Sequence, residues 1–306
     1  MSLESDDPAA RPRRRTVALA LGAGAAKGLA HIGAIEEIER QGFEIVAVAG
    51  SSMGALIGGV YAMGKLDVYR DWVCSLAKLD MLKLVDWTFS GGGLIKGERI
   101  IGTLRAMVGD TDIEELPIAY TAVATDIDRE REIWLTRGSL FDAIRASIAI
   151  PTLFRPYMIG SHRLVDGALL NPLPVTPLIR ESADYLIAIS VDGTADRPAA
   201  PAQNASADEI EPPTPRTRIG EWFGRFRPGI LEKQPQEPGA LALLTQAMDL
   251  MQANLARLRL AAYQPDLLIE LPRNIALSYE FYRAQELIEL GRLRTREVLE
   301  NWDPMG

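Results

Sequence analysis

The stretch Val46-Ala47-Val48-Ala49-Gly50-Ser51-Ser52-Met53-Gly54-Ala55-Leu56-Ile57-Gly58-Gly59-Val60-Tyr61 decides the reading of the chain. A short β-branched strand runs into Gly-Ser-Ser-Met-Gly, and small apolar residues suited to a helix follow. Strand, sharp turn and helix is the frame in which a G-x-S-x-G serine is presented as a nucleophile. Gly50 and Gly54 stand where a Cβ would clash with the strained turn, and Ser52 is the middle residue. A helix starting at Met53 would aim free backbone N–H groups and the positive end of its dipole at the serine oxygen and at an oxyanion formed beside it. Gly-x-Ser-x-Gly alone also describes an ordinary turn, so the rest of the chain must decide.

One strand upstream, residues 16–21 read as a buried β segment. The loop Gly22-Ala23-Gly24-Ala25-Ala26-Lys27-Gly28 then leads into a helix over 29–41. Strand, glycine loop and helix also opens nucleotide-binding units, but the spacing here is G-x-G-x-x-x-G, one residue longer than the dinucleotide fingerprint, and no Gly-Lys-Ser/Thr is present. Glu44, at the right distance for a ribose-binding acid, precedes the second strand instead of ending it. The better use of the loop is an anion cradle: N–H groups of Gly24 and Ala25 can point at one oxygen at the carboxyl edge of the sheet, beside Ser52.

Further along, helical periodicity covers 69–84, a turn-rich patch 90–94, and a helix 97–108. A strand over 118–125 pairs with 132–136, and a helix spans 139–147. A hairpin (157–159 with 163–165) encloses Gly160-Ser161-His162 and ends at Asp166-Gly167-Ala168. Pro172-Leu173-Pro174-Val175 opens another helix, and 185–191 is a fully buried strand. A helix over 241–260 carries Met248, Met251 and leucines on one face, which reads as core. The chain closes with a strand at 266–271 and a helix at 282–302. The alternation predicts an α/β protein.

A serine hydroxyl needs a base, usually a histidine held by a carboxylate. The chain has two histidines. His31 falls in the first turns of the helix after the loop, where a structural role is expected, and His162 falls at a hairpin tip at the surface. Asp166 ends a strand arm at a turn opened by Gly167, so its carboxylate can reach the sheet edge. A carboxylate is a weak base, so this pairing requires a partly dehydrated site.

The 306 residues suit one large α/β domain or two small ones, and 47% hydrophobic with 24% charged residues is ordinary for a soluble protein. A net charge of −8 argues against a nucleic-acid binder, and one cysteine with two histidines leaves no disulfide and no zinc set. Arg11-Pro12-Arg13-Arg14-Arg15 ahead of an apolar run resembles a signal peptide superficially. The expectation is instead a disordered tail over 1–15, a first strand, and a cytoplasmic protein, since no run of 18 or more apolar residues follows. Eight of the nineteen prolines lie between Pro198 and Pro238, so 195–239 reads as an insertion that cannot fold alone. Within it, 219–231 alternates aromatics with arginines, as a patch packing back on the domain or as a lid or membrane-surface contact.

Four motifs in order, Leu21-Gly22-Ala23-Gly24-Ala25-Ala26-Lys27-Gly28-Leu29-Ala30-His31-Ile32-Gly33, Gly50-Ser51-Ser52-Met53-Gly54, Ala146-Ser147-Ile148-Ala149-Ile150-Pro151, and Asp166-Gly167-Ala168 with Asn171-Pro172-Leu173-Pro174, closely resemble the patatin-like phospholipases, in particular their short bacterial members. The resemblance spans about 16–192, with a weaker echo in the last strand and helix. It implies a three-layer α/β/α catalytic domain formed by 16–194 and 240–302 around a mainly parallel sheet. It also implies a dyad of Ser52 as nucleophile and Asp166 as base, and no cofactor or metal. The oxyanion hole and its anion loop are Gly22, Gly24, Ala25 and Met53, with Gly28, Gly50, Gly54 and Gly167 supporting the motifs. Phospholipid, lysophospholipid or another acyl ester is the implied substrate, hydrolysed through an acyl-serine. Ala23 and Ala25 depart from the commoner glycines of the family loop and Lys27 stands where arginine is frequent; alanine still supplies an N–H. His31 matches a histidine that is not catalytic in bacterial members. Alternatives are an acyltransferase, where serine pairs with histidine, or a thioesterase on acyl carriers, and a non-catalytic lipid-binding regulator with a vestigial site.

Overall fold

The computed structural model describes residues 14–77, 97–151, 153–194 and 240–303. The expected tail, the patch at 90–94 and the insertion at 195–239, with its 219–231 segment, therefore lie outside or almost wholly outside the described residues. Eight strands form one sheet: β1 (Arg15–Leu21), β2 (Phe43–Ser51), β3 (Ala119–Asp126), β4 (Arg131–Leu135), β5 (Tyr157–Ile159), β6 (His162–Asp166), β7 (Tyr185–Gly193) and β8 (Leu267–Pro272). β3, β2, β1, β7 and β8 run parallel in that spatial order, and β4, β5 and β6 add antiparallel pairings beside β3. The helices are α1 (Ala30–Arg40), α2 (Met53–Ala62), α3 (Leu66–Ser75), α4 (Glu98–Val108), α5 (Leu140–Ser147), α6 (Ala240–Ala262) and α7 (Ala284–Glu300).

The sheet has two unlike faces, and the sequence of β1 shows why. Side chains alternate along a strand, so Val17, Leu19 and Leu21 point one way and Ala18 and Ala20 the other. The large residues join Val48, Ile187, Ile189 and Ile269 in the main core with α1, α2, α5 and α7. The alanines join Ala47, Ala49 and Ala188 in a thin second core, covered by Leu173, Val175, Leu178 and Ala256 of α6. Helices on one face and α6 on the other give the three layers.

Two expectations need correction. The segment after Pro172 makes only a single 3-10 turn, Thr176–Leu178, because Pro174 and Pro177 remove two of the N–H donors that a longer helix would need. The Met and Leu face of α6 is not core: Met251, Leu250 and Leu243 are 68%, 54% and 56% exposed, while Ala253 and Ala256 make the buried contact. An alanine-lined sheet face accepts a helix through its small residues, which leaves the long side chains outward.

α1 and α7 cross in close contact. A Cβ on Gly33 would stand 1.8 Å from the Ile288 carbonyl oxygen, and one on Gly291 would stand 1.9 Å from that of Ala30. The crossing is flanked by ion pairs of Arg292 with Glu36 at 2.5 Å and Arg296 with Glu37 at 3.2 Å. Gly33→Val should therefore force the helices apart and lower stability by about 3 kcal/mol or more, the upper range for overpacking. Thermal melting would show this as a fall of several degrees in Tm, and an unchanged Tm would contradict the packing account.

Candidate active site

The registers explain how residues 114 apart in sequence meet. β2 pairs with β3 along Ala119–Val123, and β4 pairs with β3 along Ala122–Asp126, so the two lie on opposite edges of β3 where they overlap. β6 pairs with Ala124–Asp126, residues that β4 also covers, and so takes the same edge as β2. β6 thus occupies the lane that β2 vacates, running the opposite way. Ser51 faces Val123 and Asp166 faces Ala124, so the two strand ends meet head-on at the carboxyl edge of the parallel sheet.

Ser52 is the residue between β2 and α2. It adopts φ 55° and ψ −123°, a conformation that costs a side-chain-bearing residue about 1–3 kcal/mol. The turn closes because Gly50 and Gly54 carry no Cβ: one on Gly50 would lie 2.3 Å from the Gly54 carbonyl oxygen, and one on Gly54 would lie 2.2 Å from that of Leu21. The Ser52 N–H donates to Ser147 Oγ at 3.0 Å, and Ser147 in turn donates to the Val123 carbonyl at 2.6 Å. Ser147, at the end of α5, is a support that the sequence motif contains but to which no role was attached; a lone serine among small apolar residues carries little signal of its own.

Ser52 Oγ donates to Asp166 Oδ2 at 2.6 Å, and Asp166 Oδ1 accepts from the Ala168 N–H at 2.8 Å. Gly167 opens the 3-10 turn Gly167–Leu169 that supplies this N–H. Asp166 is 3% exposed. Burial pushes its pKa up to about 7, against the opposing pull of the Ser52 and Ala168 hydrogen bonds. Most of the carboxylate's water is gone, so it is a stronger base than an exposed aspartate.

The loop after β1 lies against this site. Gly54 packs on the backbone of Leu21 and Gly22, and Gly28 on the side chain of Met53. The Gly22 N–H donates to Ile189, that of Ala23 to Pro172, and that of Ala26 to Ser278, all carbonyls. Gly24 is extended and Ala25 turns to φ 46°. The N–H groups of Gly24, Ala25 and Met53 have no acceptor among the described residues.

The histidines are elsewhere. His31 is fully buried and its Nε2 lies 2.8 Å from the Gly22 carbonyl oxygen, so Nε2 carries the proton. Burial lowers its pKa to about 4. A folded pKa below the unfolded 6.5 means the imidazole supports the fold above pH 6.5 and loses that support as pH falls toward 4, about 2 kcal/mol between pH 7.5 and 5. Denaturant unfolding of wild type and His31→Asn at the two pH values should show that increment only in wild type; equal pH dependence would contradict it. His162 Nδ1 donates to Asp126 Oδ2 at 2.6 Å, and His162 lies four residues before Asp166 on β6, about 13 Å along a strand. It is partly buried against Asp126 instead of lying free at a hairpin tip. Among the described residues neither histidine is hydrogen-bonded to Ser52. Among the described residues no group of three or more His, Cys, Asp or Glu side chains is placed to hold a metal ion, and no helix is long and apolar enough to cross a membrane.

These features define an α/β/α protein with a serine–carboxylate site at the carboxyl edge of its sheet. The chain belongs to the patatin-like phospholipase family, whose model matches residues 19–179. Relatives include uncharacterized NTE family proteins of Mycobacterium bovis and Mycobacterium tuberculosis, each 37% identical over 94% of this chain and 92% of their own. Lysophospholipase NTE1 of Debaryomyces hansenii is 25% identical over 95% of this chain and 18% of its own length. Neuropathy target esterase sws of Drosophila melanogaster is 32% identical over 59% and 13%. The crystal structure of VipD from Legionella pneumophila is similar over 94% of this chain and 67% of that one, at 13% identity and a TM-score of 0.44. Membership of the family implies lipid acyl hydrolase activity.

Proposed function

We propose that the protein hydrolyses acyl esters of phospholipids or lysophospholipids with a Ser52–Asp166 dyad and no histidine. The observation that carries this reading is the 2.6 Å hydrogen bond from Ser52 Oγ to the buried Asp166. Asp166 takes the hydroxyl proton as Oγ attacks the acyl carbonyl, and the proton passes to the departing alcohol. An acyl-Ser52 ester remains, which a water molecule cleaves with Asp166 again as base. The oxyanion is held by the N–H groups that lack acceptors, those of Gly24 and Ala25 in the loop and Met53 at the start of α2. Gly22 shapes the loop through its carbonyl, which holds His31. The names of the yeast and fly relatives, a lysophospholipase and an esterase, support the same class.

A histidine-dependent acyltransferase is disfavoured by the placement of His31 and His162. A panel of phospholipids, lysophospholipids and acyl thioesters offered to the purified protein tests the reading. Free fatty acid should appear fastest from an oxygen ester, whereas transfer to an added thiol or alcohol without net release would overturn hydrolysis as the reaction.

A further inference from the structure

Lys27 lies within the oxyanion loop, only 8% exposed, and its Nζ pairs with Asp192 near the end of β7. The two side chains are 10% and 17% exposed. On the same strand Val191 packs against Gly24, where an added Cβ would stand 2.1 Å from its Cγ2. The loop is thus clamped on both sides of its candidate donors. Upstream, Gly22 and Ala23 are bonded to Ile189 and Pro172; downstream, Lys27 is tied to Asp192, with its own N–H on the Gly24 carbonyl at 3.0 Å. Between the clamps, Ala25 is held at a positive φ that a side-chain-bearing residue adopts reluctantly. Something must hold it there, and among the described residues the charged contact made from within the loop is that of Lys27 with Asp192.

We propose that Asp192 is a positioning residue for the reaction, fixing the Gly24 and Ala25 donors through its ion pair with Lys27. The inference rests on the dyad reading above. It also assigns Lys27 a use: a cation so close to a developing oxyanion could act on it directly, but here its charge is committed to a carboxylate. Donors that must be in place before the charge develops are worth most when they need not reorganise, so the loss on releasing the loop falls on turnover instead of substrate binding.

The test compares Asp192→Asn, Lys27→Met, their combination, and Asp249→Asn, with Ser52→Ala as reference, all checked for folding by circular dichroism. Asp249 on α6 is within electrostatic reach of Lys27 and Asp192, with no hydrogen bond to either among the described residues. Asp192→Asn should lower kcat about 10- to 100-fold, less than the roughly 10²- to 10³-fold cost of removing an oxyanion donor outright because the N–H groups remain, with KM within about twofold. The double variant should lose no more than the worse single one, and Asp249→Asn should match wild type. If Asp192→Asn does not fold, Asp192→Glu keeps the charge and should show a smaller kcat loss with the same KM.

Wild-type or raised kcat in Asp192→Asn with loss only in Lys27→Met would overturn the proposal in favour of a direct action of the cation. Equal losses in Asp192→Asn and Asp249→Asn would overturn it in favour of a general field. Acyl release surviving in Ser52→Ala would instead sink the dyad reading itself, whatever Asp192 does.

Discussion

Ser52→Ala is expected to stop acyl release, with kcat falling about 10⁶-fold, as for the loss of the nucleophile in other serine hydrolases. The reason is geometric. Ser52 holds a strained φ of 55° at the point where β2, α2 and the end of β6 converge, and no other hydroxyl hydrogen-bonds to Asp166 among the described residues. Ser51, its neighbour, is fully buried and faces Gly167 instead, so it cannot take over the attack. The variant should keep the wild-type fold, and because alanine retains the Cβ that strains the turn, circular dichroism and Tm should stay close to wild type. Substantial remaining turnover would mean that the reaction runs elsewhere.

Asp166→Asn should cost about 10²- to 10⁴-fold in kcat, the usual contribution of a general base. The amide keeps the size and can still accept from Ala168, but it cannot take the Ser52 proton. The pH dependence should change as well. Because burial raises the Asp166 pKa to about 7, the ionised base accumulates only as pH passes that value, so wild-type kcat/KM should rise through pH 7 and level off above it. The residual activity of Asp166→Asn should lack that step. The same shift has a stability sign: a carboxyl whose folded pKa exceeds its unfolded one loses stability as pH rises from about 4 to 7. Asp166→Asn should therefore melt above wild type at pH 8 while being nearly inactive, which separates lost chemistry from lost fold.

Much of this was legible in the sequence because local chemistry dictated it. Gly50-Ser51-Ser52-Met53-Gly54 admits few backbone paths between a strand and a helix, and the alternation of Val17, Ala18, Leu19, Ala20 and Leu21 marks a strand buried on both faces. The juxtaposition of Asp166 with Ser52 was not legible from spacing alone. It follows from β6 taking over the β3 edge where β2 ends, a long-range register that no local pattern encodes, and the family resemblance supplied the pairing. The face of α6 was misread because helical periodicity shows that Met251 and Leu250 share a surface with other apolar residues, but not that an alanine-lined sheet would choose Ala253 and Ala256 as the contact. The Lys27–Asp192 pair spans 165 residues, and nothing in a single chain's composition links a loop lysine to one particular aspartate.

The most direct test of the histidine-free dyad is the rate at which a fluorophosphonate labels the protein between pH 5 and 9, with the adduct mapped by peptide mass spectrometry, in wild type, Asp166→Asn and His162→Ala. The account predicts label on Ser52, a rate that climbs through about pH 7 equally in wild type and His162→Ala, and labelling slowed about 100-fold or more in Asp166→Asn. Labelling lost in His162→Ala but intact in Asp166→Asn, or an adduct on any residue other than Ser52, would contradict it.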